Sequence, residues 1–101
     1  MREKAPAKLS AAVATKKVRE LAAVSDNIVL IKHAIKRGRQ RAINRLQIER
    51  CLQRGTLSEE PHIALKTGFW RMSFTRHAAG EEMTCVVEID WPSKLLVVTV
   101  Y

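Results

Sequence analysis

The spacing of apolar residues differs between the two halves of this chain, and the difference limits the folds open to it. From Phe69 to His77 (FWRMSFTRH) apolar and polar side chains alternate, which is typical of a strand with one buried face. In the first half, Ile31, Ile35 and Ala42 recur at helical spacing. A chain with both patterns packs helices against a sheet, so we expect the α+β class.

Local signals divide the chain into seven elements. Asn44 and Gln47 form a capping-box pattern that begins a helix, and Gly55 is suited to end it. In order, the sequence predicts a helix over 8–24, a strand over 28–31, helices from 32 and over 44–54, and strands over 69–77, 83–89 and 95–100. Residues 56–61 are expected to form a polar connection, and 62–66 an optional edge strand. We therefore expect N-terminal helices on one face of a mostly antiparallel sheet of three or four strands.

The length of 101 residues suits one domain with a modest core. We interpret residues 1–25 as an N-terminal helical extension and residues 26–101 as the α+β domain. The Ala- and Lys-rich helix of the extension has only a weak apolar stripe. Docking on the domain, docking on a partner and a solvated helix therefore all remain open.

The positive charge is concentrated in the first half of the chain. The formal net charge is +8, and residues 1–56 contain 14 Lys and Arg against 4 Asp and Glu. Residues 57–101 contain 4 basic and 6 acidic residues. This asymmetry favours a polyanionic partner, either a nucleic acid or an acidic protein, with a solvated basic surface as the alternative.

Cysteine spacing and hydropathy exclude several classes of protein. Cys51 and Cys85 have neither CxxC spacing nor nearby ligand residues, so we expect two reduced, buried thiols, no metal site and no cofactor. No segment approaches the roughly 20 apolar residues of a membrane span, and no apolar run of signal-peptide type is present. We therefore expect a cytoplasmic protein that does not act in a membrane.

Three basic residues four positions apart form the strongest functional signal. His33, Arg37 and Arg41 project from one side of a helix, because four residues turn the helix by only about 40° beyond a full turn. A histidine can exchange a proton near neutral pH, and guanidinium groups hold phosphate oxygens. The spacing favours a site that binds and cleaves a phosphodiester.

A wider set of residues resembles a known family. The set comprises His33-Ala34-x-x-Arg37-x-x-x-Arg41-x-Ile43, Gly55 at the end of the helix over 44–54, Gly68-x-Trp70-Arg71 and Val97-Val98-Thr99-Val100-Tyr101. It resembles small bacterial domains of unknown function that occur in mobile-element and toxin–antitoxin contexts. That family is similar to RelE/ParE-like toxins, within the barnase–EndoU–colicin–RelE group of metal-independent RNases. The resemblance covers Ile28 to Tyr101 and departs at Ala42, where the family often has glycine; we expect a reshaped turn there.

The resemblance implies a RelE/ParE-like fold and a set of site residues. His33 would serve as base or acid, Arg37 and Arg41 would hold the phosphate, and Tyr101 would supply a proton or position the phosphate, as C-terminal tyrosines do in RelE-like toxins. Contacts to the nucleic acid are expected from Lys32, Lys36, Arg39, Arg45, Arg71 and Thr99.

Each of these residues also has a purely structural interpretation. His33 can cap or pack against a backbone carbonyl, and Arg37 and Arg41 can be solvated charges or partners of Glu49 or Glu88. Tyr101 can be an apolar plug with a wet hydroxyl. Two further histidines at positions 62 and 77 are interpreted as exposed loop or strand-end residues.

Three functions compete at this point. The first is a toxin-type RNA endonuclease that cleaves by 2′-OH attack, acts on RNA or the ribosome, and is restrained by a cognate antitoxin. The second is a non-catalytic module that binds nucleic acid or protein on the same scaffold. The third is a ParE-type toxin that acts on a protein target. One fold can carry several activities, so fold alone does not separate them.

Overall fold

The computed structural model describes residues 4–101 and has α+β architecture. Residues 1–3, which belong to the predicted N-terminal extension, lie outside the described residues. The helices are α1 (Ala11–Ala22), α2 (Lys32–Gln40) and α3 (Arg45–Arg54), with a 3-10 turn at Ser25–Asn27. The strands are β1 (Ile28–Leu30), β2 (Thr56–Ile63), β3 (Trp70–Ala78), β4 (Glu81–Asp90) and β5 (Lys94–Val100).

The five strands form one mixed sheet in the order β1-β5-β4-β3-β2. β1 runs parallel to β5, and the other three pairings are antiparallel. The α+β class is confirmed, whereas the expected count of three or four strands is wrong. The additional strand is β2, which occupies the predicted polar connection at residues 56–61 and only the first two residues of the optional edge strand expected over 62–66. Two register shifts and Pro61 interrupt its period of two, so the alternation expected of a strand is lost.

The turn between α2 and α3 is tight. A Cβ at Gly38 would lie 3.0 Å from the carbonyl oxygen of Ile43, whose own N–H donates to the Gly38 carbonyl. Ala42 in this turn has a φ of 55°, a left-handed conformation that glycine adopts more easily. Asn44 and Gln47 then form the predicted capping box at the start of α3. This geometry fixes the end of α2 beside the sheet.

All three helices cover the same face of the sheet. The core between the two layers includes Val18, Ile48, Leu52, Met72 and Phe74, each at most 2% exposed. α1 contributes fully to this core and packs against α3. Of the three arrangements that the sequence left open for this helix, α1 therefore adopts docking on the domain.

The opposite face of the sheet has no helix over it and is largely polar. Strand β3 presents Arg71, Ser73 and Thr75 there, while Met72 and Phe74 point into the core. Within residues 4–101, no helix combines the length and the apolar content needed to cross a membrane.

Candidate functional site

A polar depression lies on the open face of the sheet. Its volume is about 530 Å³, and it crosses strands β2 to β5. The side chains that matter for its chemistry are Glu59, His62, Arg71, Ser73, Thr99 and Tyr101. We call it the sheet-face cleft.

A second depression lies at one end of the sheet. It has a volume of about 330 Å³ and is bounded by the α2–α3 turn and the β3–β4 hairpin. Arg41, Arg76, Glu81, Glu82 and Tyr101 line it, so two cations face two carboxylates. We call it the end cleft. Tyr101 borders both clefts, and its half-exposed side chain therefore lies where they meet.

The position of Tyr101 results from a β-bulge in β5. Val87 pairs with Val97 and Val86 pairs with Thr99, so Val98 is an extra residue in β5. An extra residue reverses which side chains face the core. Thr99 and Tyr101 consequently point to the open face. Backbone hydrogen bonds of 2.7 and 3.0 Å between Tyr101 and Thr84 hold this end of the strand in place.

Arg71 lies on the open face in a short-range network. Its guanidinium donates two hydrogen bonds, 2.9 and 2.6 Å long, to one carboxylate oxygen of Glu88. The Thr67 hydroxyl donates to the other oxygen at 2.7 Å. Glu88 is only 2% exposed, so the arginine neutralises a buried charge while its own side chain remains 36% exposed. Arg71 is thereby fixed in position and still accessible from the sheet-face cleft.

The surface of α2 is basic and unpaired. The helix contains no acidic residue in its sequence KHAIKRGRQ, and none of its cations forms a salt bridge with a carboxylate of residues 4–101. Lys32, His33, Lys36 and Arg39 are exposed, whereas Arg37 is half-buried with a 3.5 Å contact to Gln40. The structure therefore leaves these cations available to an anionic partner.

The carboxylates suggested as partners of Arg37 and Arg41 are paired with other arginines. Glu49 pairs with Arg45 at 2.9 Å, and Glu88 pairs with Arg71. Arg45 also donates to the carbonyl oxygens of Ser25 and Ile28 at 2.9 and 2.7 Å. The interpretation of Arg37 and Arg41 as partners of Glu49 or Glu88 is therefore wrong. Arg45, which is also expected to contact nucleic acid, ties α3 to β1 and to the segment before it.

The structure brings together some of the predicted site residues and not others. Arg41 and Tyr101 line the end cleft, and Arg71 and Thr99 meet Tyr101 in the sheet-face cleft. His33 and Arg37 line neither cleft. The single pocket suggested by the spacing of His33, Arg37 and Arg41 is thus replaced by two clefts joined at a tyrosine.

Five charged or titratable side chains in the clefts are absent from the site expected from the sequence, namely Glu59, His62, Arg76, Glu81 and Glu82. Glu59 and His62 lie in β2, of which the sequence predicted only an optional edge strand from residue 62 onward, and Arg76 lies near the end of β3. For Arg76 a signal was present, since the alternation of β3 continues to this position. For Glu59 and His62 the bulges of β2 remove the signal.

The two cysteines are buried and reduced, as expected. The Cys51 thiol donates to the carbonyl oxygen of Phe74 at 3.3 Å. Contact with the Cys51 thiol and burial both raise the pKa of Cys85, so its thiol stays protonated. Within the described part of the chain, no three His, Cys, Asp or Glu side chains gather in a group that could hold a metal ion.

The fold and clefts define a small basic α+β domain with a polar, solvent-accessible sheet face. The model of a domain family of unknown function, DUF4258, matches residues 30–101, and the chain belongs to this family. The match begins in β1 and includes both clefts, whereas α1 precedes it. No curated protein and no solved structure matches the chain.

Proposed function

We propose that the protein is a metal-independent RNA endonuclease of toxin type, which cleaves RNA by attack of a 2′-OH on the adjacent phosphate. The observation that carries the proposal is the position of Tyr101. Its phenol borders two clefts, with Arg41 and Arg76 in one and Arg71 and Thr99 in the other. Hydrogen-bond donors on both sides of this phenol suit the charge that develops on a phosphate during cleavage.

The unpaired cations of α2 supply the binding surface for the RNA backbone. Phosphate contacts of this kind give affinity without base specificity and make binding depend steeply on salt. His33 and Arg41 are eight residues apart, which corresponds to about 12 Å of helix. We therefore assign His33 and Arg37 to backbone contacts along α2, and we place bond cleavage near Tyr101.

The biological side of the proposal follows the resemblance. A RelE/ParE-like scaffold implies a toxin that acts on free RNA or on the ribosome and that a cognate antitoxin restrains. Exposed cations on α2 would attract an acidic antitoxin as well as RNA. These features belong to the proposal together with the nuclease activity.

The test compares purified variants on a labelled single-stranded RNA and on DNA of the same sequence. Removing the phenol in Tyr101→Phe or the charge in Arg41→Gln should lower the cleavage rate by about 100-fold, the usual effect of losing one donor to a developing negative charge. Arg54→Gln, an exposed arginine outside both clefts, is the matched control and should cleave normally. DNA should stay intact, since it lacks the 2′-OH. Equal cleavage of DNA, or unchanged rates in both cleft variants, would refute the proposal.

A non-catalytic RNA-binding module is the second candidate, and the unpaired basic surface of α2 favours it. Such a module would bind the same RNA with a strong salt dependence and leave it uncut. It would lose affinity by similar steps as each α2 cation is removed, and Tyr101→Phe would bind RNA like the wild type.

A further inference from the structure

We infer that Glu59 is the general base and His62 the general acid of the cleavage step, acting across the sheet-face cleft. The inference deepens the proposed nuclease function and rests on it. Neither residue belongs to the site expected from the sequence, and both line the same cleft as Tyr101.

Bulges in β2 place Glu59 and His62 on one face of the sheet. Residues three apart in a regular strand point to opposite faces. Here Glu59 pairs with Ser73 and His62 pairs with Arg71, and register shifts lie on both sides of Glu59. Ser73 and Arg71 are two residues apart in β3 and share the open face. Their partners Glu59 and His62 therefore share it too.

The same register sets the distance between the two groups. Residues two apart in a strand are separated by about 6.5–7 Å. A carboxylate and an imidazole attached at this spacing can reach the two sides of one phosphate. Arg71, the cross-strand partner of His62, lies in the same cleft and is oriented by its hydrogen bonds to Glu88.

Hydrogen bonds orient each group for its role. The Ser73 hydroxyl donates to Oε1 of Glu59 at 3.0 Å, which fixes the carboxylate and leaves its second oxygen free to accept a proton. Nδ1 of His62 lies 3.1 Å from the carbonyl oxygen of Glu60. Because a carbonyl only accepts, this contact favours the tautomer with a proton on Nδ1, and Nε2 is then the nitrogen directed at the substrate in this proposal.

The reaction balances with these two groups alone. The Glu59 carboxylate removes the proton from the 2′-OH as the 2′-oxygen forms a bond to phosphorus, and the bond from phosphorus to the 5′-oxygen breaks. The protonated imidazole of His62 gives its Nε2 proton to that 5′-oxygen. The products are a 2′,3′-cyclic phosphate and a 5′-hydroxyl. Arg71 and Tyr101 donate hydrogen bonds to the non-bridging oxygens during the transfer.

A modified leaving group tests the acid separately from the base. The full chain is assayed on an RNA with the normal 5′-oxygen at one cleavage site and on the same RNA with sulfur in that bridging position. A thiolate leaves without protonation, so an enzyme that lacks only its acid should recover on the sulfur substrate. His62→Gln should lose about 100-fold or more on the oxygen substrate and less than about 5-fold on the sulfur substrate. Glu59→Gln should lose about 100-fold on both substrates, because its step is the same in each.

His77→Gln and Glu20→Gln are the matched controls, since both side chains are exposed and line neither cleft. Thermal melting verifies that each variant is folded, and His62→Asn provides a second variant should glutamine disturb β2. A wild-type protein that cuts no RNA refutes the proposed function and this inference together. If the wild-type protein cuts RNA and the variants at positions 59 and 62 match the controls, only the assignment of Glu59 and His62 is refuted. The two residues would then be ordinary polar side chains of an edge strand.

Discussion

Arg19 provides the sharpest test of how the first helix is held, and we expect Arg19→Ala to destabilise the whole domain. Its guanidinium donates to the carbonyl oxygens of Leu52 and Gly55 at 2.9 and 2.6 Å, at the end of α3. It also lies 5.7 Å from the centre of the Phe74 ring. The helix-end carbonyls have no partner within α3, so Arg19 satisfies groups that otherwise need water.

The size of the loss follows from these contacts. A hydrogen bond to a charged group contributes about 1.5–3 kcal/mol, and a cation–π contact at a partly exposed site about 0.5–1 kcal/mol. Water can reach the half-buried site after the substitution, which offsets part of the loss. We expect a decrease of about 3 kcal/mol in the free energy of unfolding, a large share of the total for a domain of this size. Arg19→Lys keeps the charge but reaches one carbonyl, so it should lose about half as much.

Equilibrium unfolding in guanidinium chloride, followed by tryptophan fluorescence, measures the effect. In a separate thermal unfolding experiment, the melting temperature of Arg19→Ala should fall by about 12–24 °C, given about 4–8 °C per kcal/mol for a small domain. Lys16→Ala, an exposed residue of α1, is the control and should change stability by less than about 0.5 kcal/mol. If Arg19→Ala matched Lys16→Ala, the contacts of Arg19 with the end of α3 and with Phe74 would add nothing to stability.

Three further outcomes are expected. Ala42→Gly should stabilise the protein by about 0.5–1 kcal/mol in the same assay. The left-handed conformation costs alanine about 1–2 kcal/mol, and the greater conformational entropy of glycine in the unfolded chain offsets about 0.4–1 kcal/mol of that gain. A loss of stability would contradict the φ of 55°. Gly55→Ala should destabilise by about 2–3 kcal/mol, because the new Cβ would lie 2.5 Å from the carbonyl oxygen of Cys51; a neutral result would show that the end of α3 is less crowded. Replacing Lys36 and Arg39 together with glutamine should reduce the slope of log affinity against log salt by about 1.4 for single-stranded RNA, measured by fluorescence anisotropy, whereas an unchanged slope would remove α2 from the binding surface.

The helices and four of the five strands follow from local sequence signals. The capping box at Asn44 and the alternation between Phe69 and His77 place α3 and β3 within a residue or two of their observed bounds. These signals are local because caps and side-chain periods depend on neighbours in the chain. The order of elements then implies helices on one face of a sheet, which the structure confirms.

Most of β2 was not predicted because its sequence lacks a period; the optional edge strand expected over 62–66 overlaps it only at His62 and Ile63. TLSEEPHI contains only three apolar residues, Pro61 among them, and the register shifts on both sides of Glu59 break the alternation. The strand forms because β3 offers it an unpaired edge, and most of its side chains stay exposed. Pairing with a distant segment, rather than local preference, decides its structure. The sequence therefore gives no sign that Glu59 and His62 share one face of the sheet.

The bulge in β5 shows how burial of apolar residues determines the position of the candidate site. In a regular strand, Thr99 and Tyr101 would follow Leu95 and Val97 into the core, and Val100 would face water. The extra residue Val98 reverses this arrangement, so Val100 is fully buried. Burying a valine side chain contributes about 1.5–3 kcal/mol, while an unpaired buried hydroxyl costs about 1–3 kcal/mol, so the bulged register is the more stable one. Residues 95–98 are all apolar, so the sequence does not mark the point at which the bulge changes the register. The bulge that places Val100 in the core therefore also places Tyr101 on the open face, where the two clefts meet.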